Sequence, residues 1–273
     1  PFLVHLLNNK ESDFLKEQAA EVLQTYAETS DSNCRELFLW NGFLSALLRA
    51  LEGESEELQR IADDIILTLS ETNENLRDMF LYPGLLSAVL NAVETELLMT
   101  IAVEVLRNLA FDTENRREMF LHPQIIPLLI HVLDTGNRMV TKESAVRTLQ
   151  RFASETEYCR ALFVQNESLI PTLLKTMLGE EHFRVKRISA LFLQNLAVEA
   201  QNRQEMFSHP GFIAALINSL EAEPPLELEA EQTLELKSCA LETLYLISCE
   251  VHSTLFTEYP QLEQKVSLVM EIP

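Results

Sequence analysis

Asn115-Arg-Arg-Glu-Met-Phe-Leu-His-Pro-Gln-Ile-Ile-Pro-Leu-Leu-Ile-His-Val-Leu133 returns in altered versions along the whole chain. Its Met/Leu-Phe pair recurs as Leu37-Phe38, Met79-Phe80, Met119-Phe120, Leu162-Phe163, Met206-Phe207 and Leu255-Phe256. The phenylalanines are 42, 40, 43, 44 and 49 residues apart. Asparagine stands five positions before four of the first five, as Asn33, Asn75, Asn115 and Asn202, with Tyr158 the exception. Proline follows three positions on at Pro83, Pro123 and Pro210, and glycine four positions on at Gly42, Gly84 and Gly211. A fixed period near forty residues means an array of helical repeats, each burying its apolar face against its neighbours.

The period divides the chain into a partial unit over 1–30, complete units over 31–71, 72–112, 113–155, 156–199 and 200–250, and a last partial unit over 251–273. These run from end to end, so one solenoid without an internal boundary is expected. Pro1–Leu7 matches Pro127–Leu133 and Pro171–Met177, so the chain opens in mid-repeat and reads as a fragment, a processed chain, or one whose disordered leader was omitted. Each complete unit predicts three helices. The first is short and ends at the Met/Leu-Phe pair. Pro83 or Pro210 is then expected in the first turn of the second helix, where a missing N–H costs nothing. Gly84 and Gly211 are expected to relieve crowding at that corner.

The third helix carries the clearest columns. Aligning Thr25, Thr68, Asn108, Arg151, Asn195 and Leu246 sets Leu23, Ile66, Leu106, Leu149, Leu193 and Leu244 two residues earlier. Small residues stand six earlier (Ala19, Ala62, Ala102, Ala145, Ser189, Ala240) and two later (Ala27, Ser70, Ala110, Ala153, Ala197, Ser248). Small side chains let helices approach closely while the large ones fill the core. Ala102–Ala110 and Ser189–Ala197, each followed by an Asn-Arg corner (Asn115-Arg116, Asn202-Arg203), resemble the armadillo-repeat family over essentially the whole chain. The resemblance implies an all-α, right-handed superhelical solenoid whose third helices line a concave groove for extended peptides, with an asparagine clamping the peptide backbone. Asn108 and Asn195 match that asparagine. The tryptophan that nuclear-import members carry four residues before it is absent, with Glu104 and Leu191 in its place. The likeness therefore does not extend to classical nuclear-localisation-signal binding. The one tryptophan, Trp40, lies at a first-helix corner.

The candidate site is the face at the clamp column and one helical turn before it. It comprises Glu21 with Thr25, Asp64 with Thr68, Glu104 with Asn108, Arg147 with Arg151, Leu191 with Asn195, and Glu242 with Leu246. The first three repeats would present an acidic ladder and the middle a pair of arginines, with Arg184 and Arg187 opening the next third helix. Exposed helix faces are polar in any case, but here the charges segregate by repeat instead of alternating.

Charge narrows the partners. Of a formal net charge of −21, residues 1–71 carry 14 acids against 5 bases, 72–203 carry 16 against 14, and 204–273 carry 12 against 2. Acidic ends exclude nucleic acid and anionic membrane, which need a basic footprint. They fit a protein partner with a basic or bipolar segment. No apolar run approaches a membrane span, and no signal peptide is visible. Cys34, Cys159, Cys239 and Cys249 lack close-pair spacing and read as packing thiols in a reducing cytoplasm or nucleus. His122 and His209 share one repeat position and read as corner residues. With no HExxH, paired CxxC, phosphate-cradling glycine loop or nucleophile motif, no cofactor and no enzymatic activity is expected. Glu221–Glu235, with six glutamates and no base, reads as a mobile acidic loop, a spacer by default and a docking arm as the alternative. The chain thus reads as a protein-interaction module. The alternative is a structural or regulatory domain packing through its end repeats or self-associating there, which exposed apolar surface at the first repeat would favour.

Overall fold

The computed structural model describes residues 2–8, 12–93, 98–154, 160, 162, 166–179, 181–222 and 230–263, and among them there is no strand. Packing divides the chain into two compact units, Pro1–Ile125 and Ile126–Pro273.

The first unit opens with α1 (Phe2–Asn8) and α2 (Asp13–Glu28), the second and third helices of the partial repeat. Two complete triplets follow: α3 (Asp31–Leu39), α4 (Phe43–Leu51) and α5 (Glu56–Glu71), then α6 (Leu76–Leu81), α7 (Leu85–Val93) and α8 (Met99–Leu109). Helix α9 (Thr113–Leu121) begins a third. The third helices pack in order, α2 on α5 and α5 on α8. Side-chain caps fix several starts: Ser30, Ser55 and Asp112 accept from the backbone N–H groups of Asn33, Leu58 and Asn115.

The second unit holds α10 (Ile125–Thr135), α11 (Met139–Phe152), α12 (Leu169–Leu178), α13 (Phe183–Ala197), α14 (Ala200–Ser208), α15 (Phe212–Glu221) and α16 (Ala230–Glu258). Its third helices also pack in sequence, α11 on α13 and α13 on α16. Helix α16 is interrupted at Val251 (φ −124°, ψ 32°), the first residue of the last partial unit expected from the period. Tyr158, Cys159 and Phe163, residues 223–229 of the acidic stretch and the chain beyond 263 lie outside the described residues.

The repeat columns are the core. The first member of every Met/Leu-Phe pair, from Leu37 to Leu255, is completely buried. So are the leucine/isoleucine column and both small-residue columns of the third helices, from Ala19 to Ser248.

The corner differs from expectation. Pro83 and Pro210 precede the second helix, in the turn that leads to it, and the glycine is the residue with unusual backbone. Gly42, Gly84 and Gly211 adopt φ of 78°, 86° and 84°. The N–H groups of Phe43, Leu85 and Phe212 donate to the carbonyls of Trp40, Tyr82 and His209 at 3.1, 3.2 and 3.1 Å. This is a type II turn, with proline's fixed φ suited to the second position and glycine supplying the left-handed third. Gln124 occupies the glycine position of the corner after α9, and among the described residues no non-glycine residue has positive φ, so that corner closes by another turn. A Cβ on Gly84 would meet only Leu48 Cδ1 at 3.7 Å, an ordinary contact. Gly84→Ala therefore costs about 1–2 kcal/mol from the left-handed backbone alone, read as a lower midpoint in urea. An unchanged midpoint would remove this account of the corner.

Candidate functional site

In the first unit, the candidate residues lie on the packed helices α2, α5 and α8. Glu21 and Thr25 are exposed, Asp64, Thr68 and Glu104 are half-buried, and Asn108 is only 5% exposed. The Thr25 and Thr68 hydroxyls donate back to the carbonyls of Glu21 and Asp64 at 2.9 and 3.0 Å. Asn108 is drawn inward: its amide donates to Ser70 Oγ on α5 at 3.0 Å, while its oxygen accepts from Arg107 at 3.4 Å. That amide ties one third helix to the next.

The acidic ladder contains a cation that the column reading left out. Arg60 donates to Asp64 at 2.8 Å and to Glu57 at 2.5 Å. Its charged form is held first by the Glu57 hydrogen bond, with the charges of Glu57, Asp64 and Glu21 adding to it. Burial pushes the Asp64 carboxyl up and Arg60 pulls it back, while Glu28 and Glu57 oppose its ionisation. An incoming lysine or arginine therefore meets a site already partly compensated, one that a stronger or multiple cation must outbid. The i, i+3 and i, i+4 spacing of Glu57, Arg60 and Asp64 was the available signal.

In the second unit, Arg147, Arg151, Leu191 and Asn195 are half-buried on α11 and α13, and Glu242 is exposed on α16. Arg147 is paired along its own helix with Glu143, at 2.7 Å. Gln194 and Ser238 donate to Glu242. Arg184 is exposed, whereas Arg187 pairs with Glu235. Among the described residues no group of three or more His, Cys, Asp or Glu side chains could hold a metal ion. None of the described helices is long and apolar enough to cross a membrane. Cys34 and Cys239 are buried free thiols, and burial raises both, Cys239 to about 11, which suits packing and not nucleophilic chemistry.

No protein-family profile and no curated protein sequence matches the chain. Solved structures do. Computationally designed armadillo repeat proteins for modular peptide recognition superpose with a TM-score of 0.75 at 20% identity, covering 90% of this chain and 98% of theirs. The fold is that of an armadillo repeat array. A second designed armadillo repeat protein gives a TM-score of 0.72 at 21% identity, covering 90% of this chain and 99% of its own. A third, in complex with the peptide (KR)4, gives 0.72 at 22%, covering 89% and 98%.

Two features of this armadillo array fall outside the expected face. The first is the asparagine five residues before each phenylalanine. Asn75, Asn115 and Asn202 are buried, and each side-chain amide donates to the carbonyl that ends the preceding third helix: Leu69 at 3.0 Å, Leu109 at 3.3 Å and Leu196 at 3.0 Å. Arginines from the preceding first helix reach the oxygens of two of them, Arg35 to Asn75 and Arg77 to Asn115, both at 2.9 Å. The same arginines pair with Asp78 at 3.1 Å and Glu118 at 2.7 Å. This staple between armadillo repeats accounts for Asn75 and Asn115 together with Arg35 and Arg77 of the preceding first helices.

The second is Asp63. Its column elsewhere reads Ala20, Val103, Val146, Ala190 and Leu241. Asp63 is 1% exposed, and neither carboxylate oxygen has a hydrogen-bond partner within the chain. Burial, with the Asp64 charge adding, pushes its carboxyl up to about 7. A lone acid in an otherwise apolar column was visible in the sequence, one residue before the column that was laid out.

Proposed function

We propose that the chain is a non-enzymatic protein-interaction module, an armadillo array that holds an extended basic segment of a partner protein along its third helices. The observation that carries this is the row of carboxylates: Glu21, Asp64 and Glu104 occupy equivalent positions on three successively packed helices, and all reach solvent. The net charge of −9 over residues 1–71, from 14 acids and 5 bases, favours a basic segment over an acidic one. A protein of the same fold described in complex with (KR)4, a peptide of alternating lysine and arginine, supports the same chemistry. Thr25 and Thr68 offer hydroxyl oxygens beside the carboxylates. Asn108 contributes mainly by fixing the spacing of α5 and α8 through Ser70. On the second unit, Arg147 and Arg151 suit an acidic or carbonyl-rich stretch, and Leu191, Asn195 and Glu242 complete the lining.

Single exposed charge pairs are worth about 0–1 kcal/mol, so selectivity rests on several in register. The test is a titration of the four-fold Lys-Arg peptide against the parent chain and the Asp64→Lys/Glu104→Lys double variant at low and high salt. The variant binds about tenfold more weakly at low salt, with a flatter salt dependence. Equal affinity of both proteins at both salt concentrations would reduce the carboxylate row to a solvated helix face.

A further inference from the structure

The residue after each recurring phenylalanine forms a column of its own: Leu39, Leu81, Leu121, Val164, Ser208 and Thr257. In three successive repeats it is the leucine that ends the first helix, α3, α6 or α9. These leucines are 63%, 57% and 77% exposed, while Leu37, Met79 and Met119, two residues earlier, are completely buried. Leu81 lies on α6 with the first helices α3 and α9 on either side, so its exposure belongs to the repeat position. Ser208, at the end of α14, is exposed in the same way. The corner after it closes as the others do: the His209 N–H donates to the Met206 carbonyl at 3.2 Å, and the His122 N–H to the Met119 carbonyl at 3.1 Å. Folding thus does not require an apolar side chain here, yet three neighbouring repeats carry one.

Charge is arranged beside this row. Arg35 of α3 is tied to Asn75 and Asp78, and Arg77 of α6 to Asn115 and Glu118, which holds the three helices in register. Arg35, Arg77 and Arg116 are half-buried. All six acids of these helices and of the turn Asn73–Asn75 are exposed: Asp31, Glu36, Glu74, Asp78, Glu114 and Glu118. Arg117 is the only exposed base among the same residues. Glu36, Asp78 and Glu118 stand three residues before the leucines, on the same helix faces. A carboxylate row therefore flanks the leucine row.

We infer that the row Leu39, Leu81, Leu121 is a docking surface for a basic amphipathic helix of a partner protein, lying across the first helices. Spacing selects a helix. Packed helices stand about 8–10 Å apart, and two turns of an α-helix rise about 10.8 Å. Residues i, i+7 and i+14 of the occupant thus meet successive leucines from one face. An extended segment advances about 3.3 Å per residue and alternates its faces. Every third residue would come opposite a leucine, and half of those would point away. Lysines or arginines beside the apolar stripe then meet Glu36, Asp78 and Glu118. A second copy of this chain is a poor occupant, because it would set the same six acids against these. The surface lies on first helices and the proposed groove on third helices, so neither depends on the other.

A model peptide supplies the probe: about twenty residues, leucine at every seventh position, lysine flanking that stripe, alanine and glutamine elsewhere. One control has the same composition with leucine at every fifth position, which scatters the leucines around the helix. A second replaces each lysine with glutamate. Fluorescence anisotropy is followed at about 0.15 M salt against the parent chain, Leu81→Ser/Leu121→Ser and Asp64→Lys/Glu104→Lys. Both leucines are exposed and the equivalent Ser208 is tolerated, so the thermal midpoint of the double serine variant stays with the parent. The parent binds the heptad-spaced lysine peptide, and the double serine variant binds it about tenfold or more weakly. The double lysine variant keeps its affinity within about threefold, which separates this face from the groove. Both control peptides bind the parent about tenfold or more weakly. No binding of the heptad-spaced peptide, equal binding to the double serine variant, or equal binding of either control overturns the proposal. So does sedimentation showing self-association of the parent that the double serine variant lacks, which would make a second copy the occupant.

Discussion

Above neutral pH, Asp63→Val unfolds at a higher denaturant concentration than the parent chain, by an amount equivalent to about 2–4 kcal/mol. Asp63 sits where the other third helices carry Ala20, Val103, Val146, Ala190 and Leu241, at 1% exposure. Neither of its oxygens has a hydrogen-bond partner in the chain. A buried carboxylate in that position forfeits its hydration and receives nothing in return. Valine is close to aspartate in volume and already fills the column twice, so the substitution removes the penalty without overpacking. Asp63→Asn discharges the site but keeps buried polar atoms, and recovers only part of the gain. A valine variant less stable than the parent would mean that the carboxylate is engaged by a partner the column argument does not include.

The same residue fixes a pH dependence. Its carboxyl lies at about 7 in the folded chain against an ordinary 3.8, raised by burial and then by the Asp64 charge. The folded state thus retains a proton that the unfolded state has lost. The associated stability is fully present below 3.8, drains as the pH rises through the interval to about 7, and is level above it. The upper bound of the loss is roughly 4 kcal/mol. Parent and Asp63→Val should therefore converge toward acid and separate toward neutral pH. A stability difference independent of pH would show that Asp63 does not titrate in this window.

The period, the triplet of helices and the core columns could be read from residues alone, because each repeat is an independent copy of one packing problem. Six copies of Leu23 or Ala19 outweigh any single ambiguous propensity. Part of what escaped depends on partners about forty residues away. Asn108 occupies the family's clamp position, yet its amide is taken by Ser70, thirty-eight residues earlier, and only the register of α5 against α8 reveals this. Proline before glycine suggested a helix start, although the same dipeptide satisfies a type II turn, and local sequence does not separate the two. The acidic ladder showed in the column through Glu21, Asp64 and Glu104, while Arg60, on the same face but in another column, did not. The repeat grammar describes positions facing other repeats. It is silent on charges that settle their accounts along one helix.

That grammar yields the second large effect, Asn115→Ala, expected to cost about 2–4 kcal/mol. The Asn115 side chain is buried and donates to two carbonyls, Leu76 at 2.9 Å and Leu109 at 3.3 Å, while accepting from Arg77 at 2.9 Å. It joins the end of α8 to the start of α9 and both to the preceding first helix. Alanine leaves carbonyls without a donor in a space that closes only partly, and unpaired buried acceptors are penalised more than the average hydrogen bond is rewarded. Asn33 supplies the control within the same molecule. It holds the same repeat position but is half-buried, and no side-chain hydrogen bond anchors it, its backbone N–H being capped by Ser30 at 3.2 Å. Asn33→Ala should move the urea midpoint by no more than about 0.5 kcal/mol. Because Arg77 also pairs with Glu118 at 2.7 Å, Arg77→Ala should fall between the two. Equal effects of Asn115→Ala and Asn33→Ala would mean that the recurring asparagine is selected for its cap position alone, and that the repeats are held together by their apolar columns without the staple.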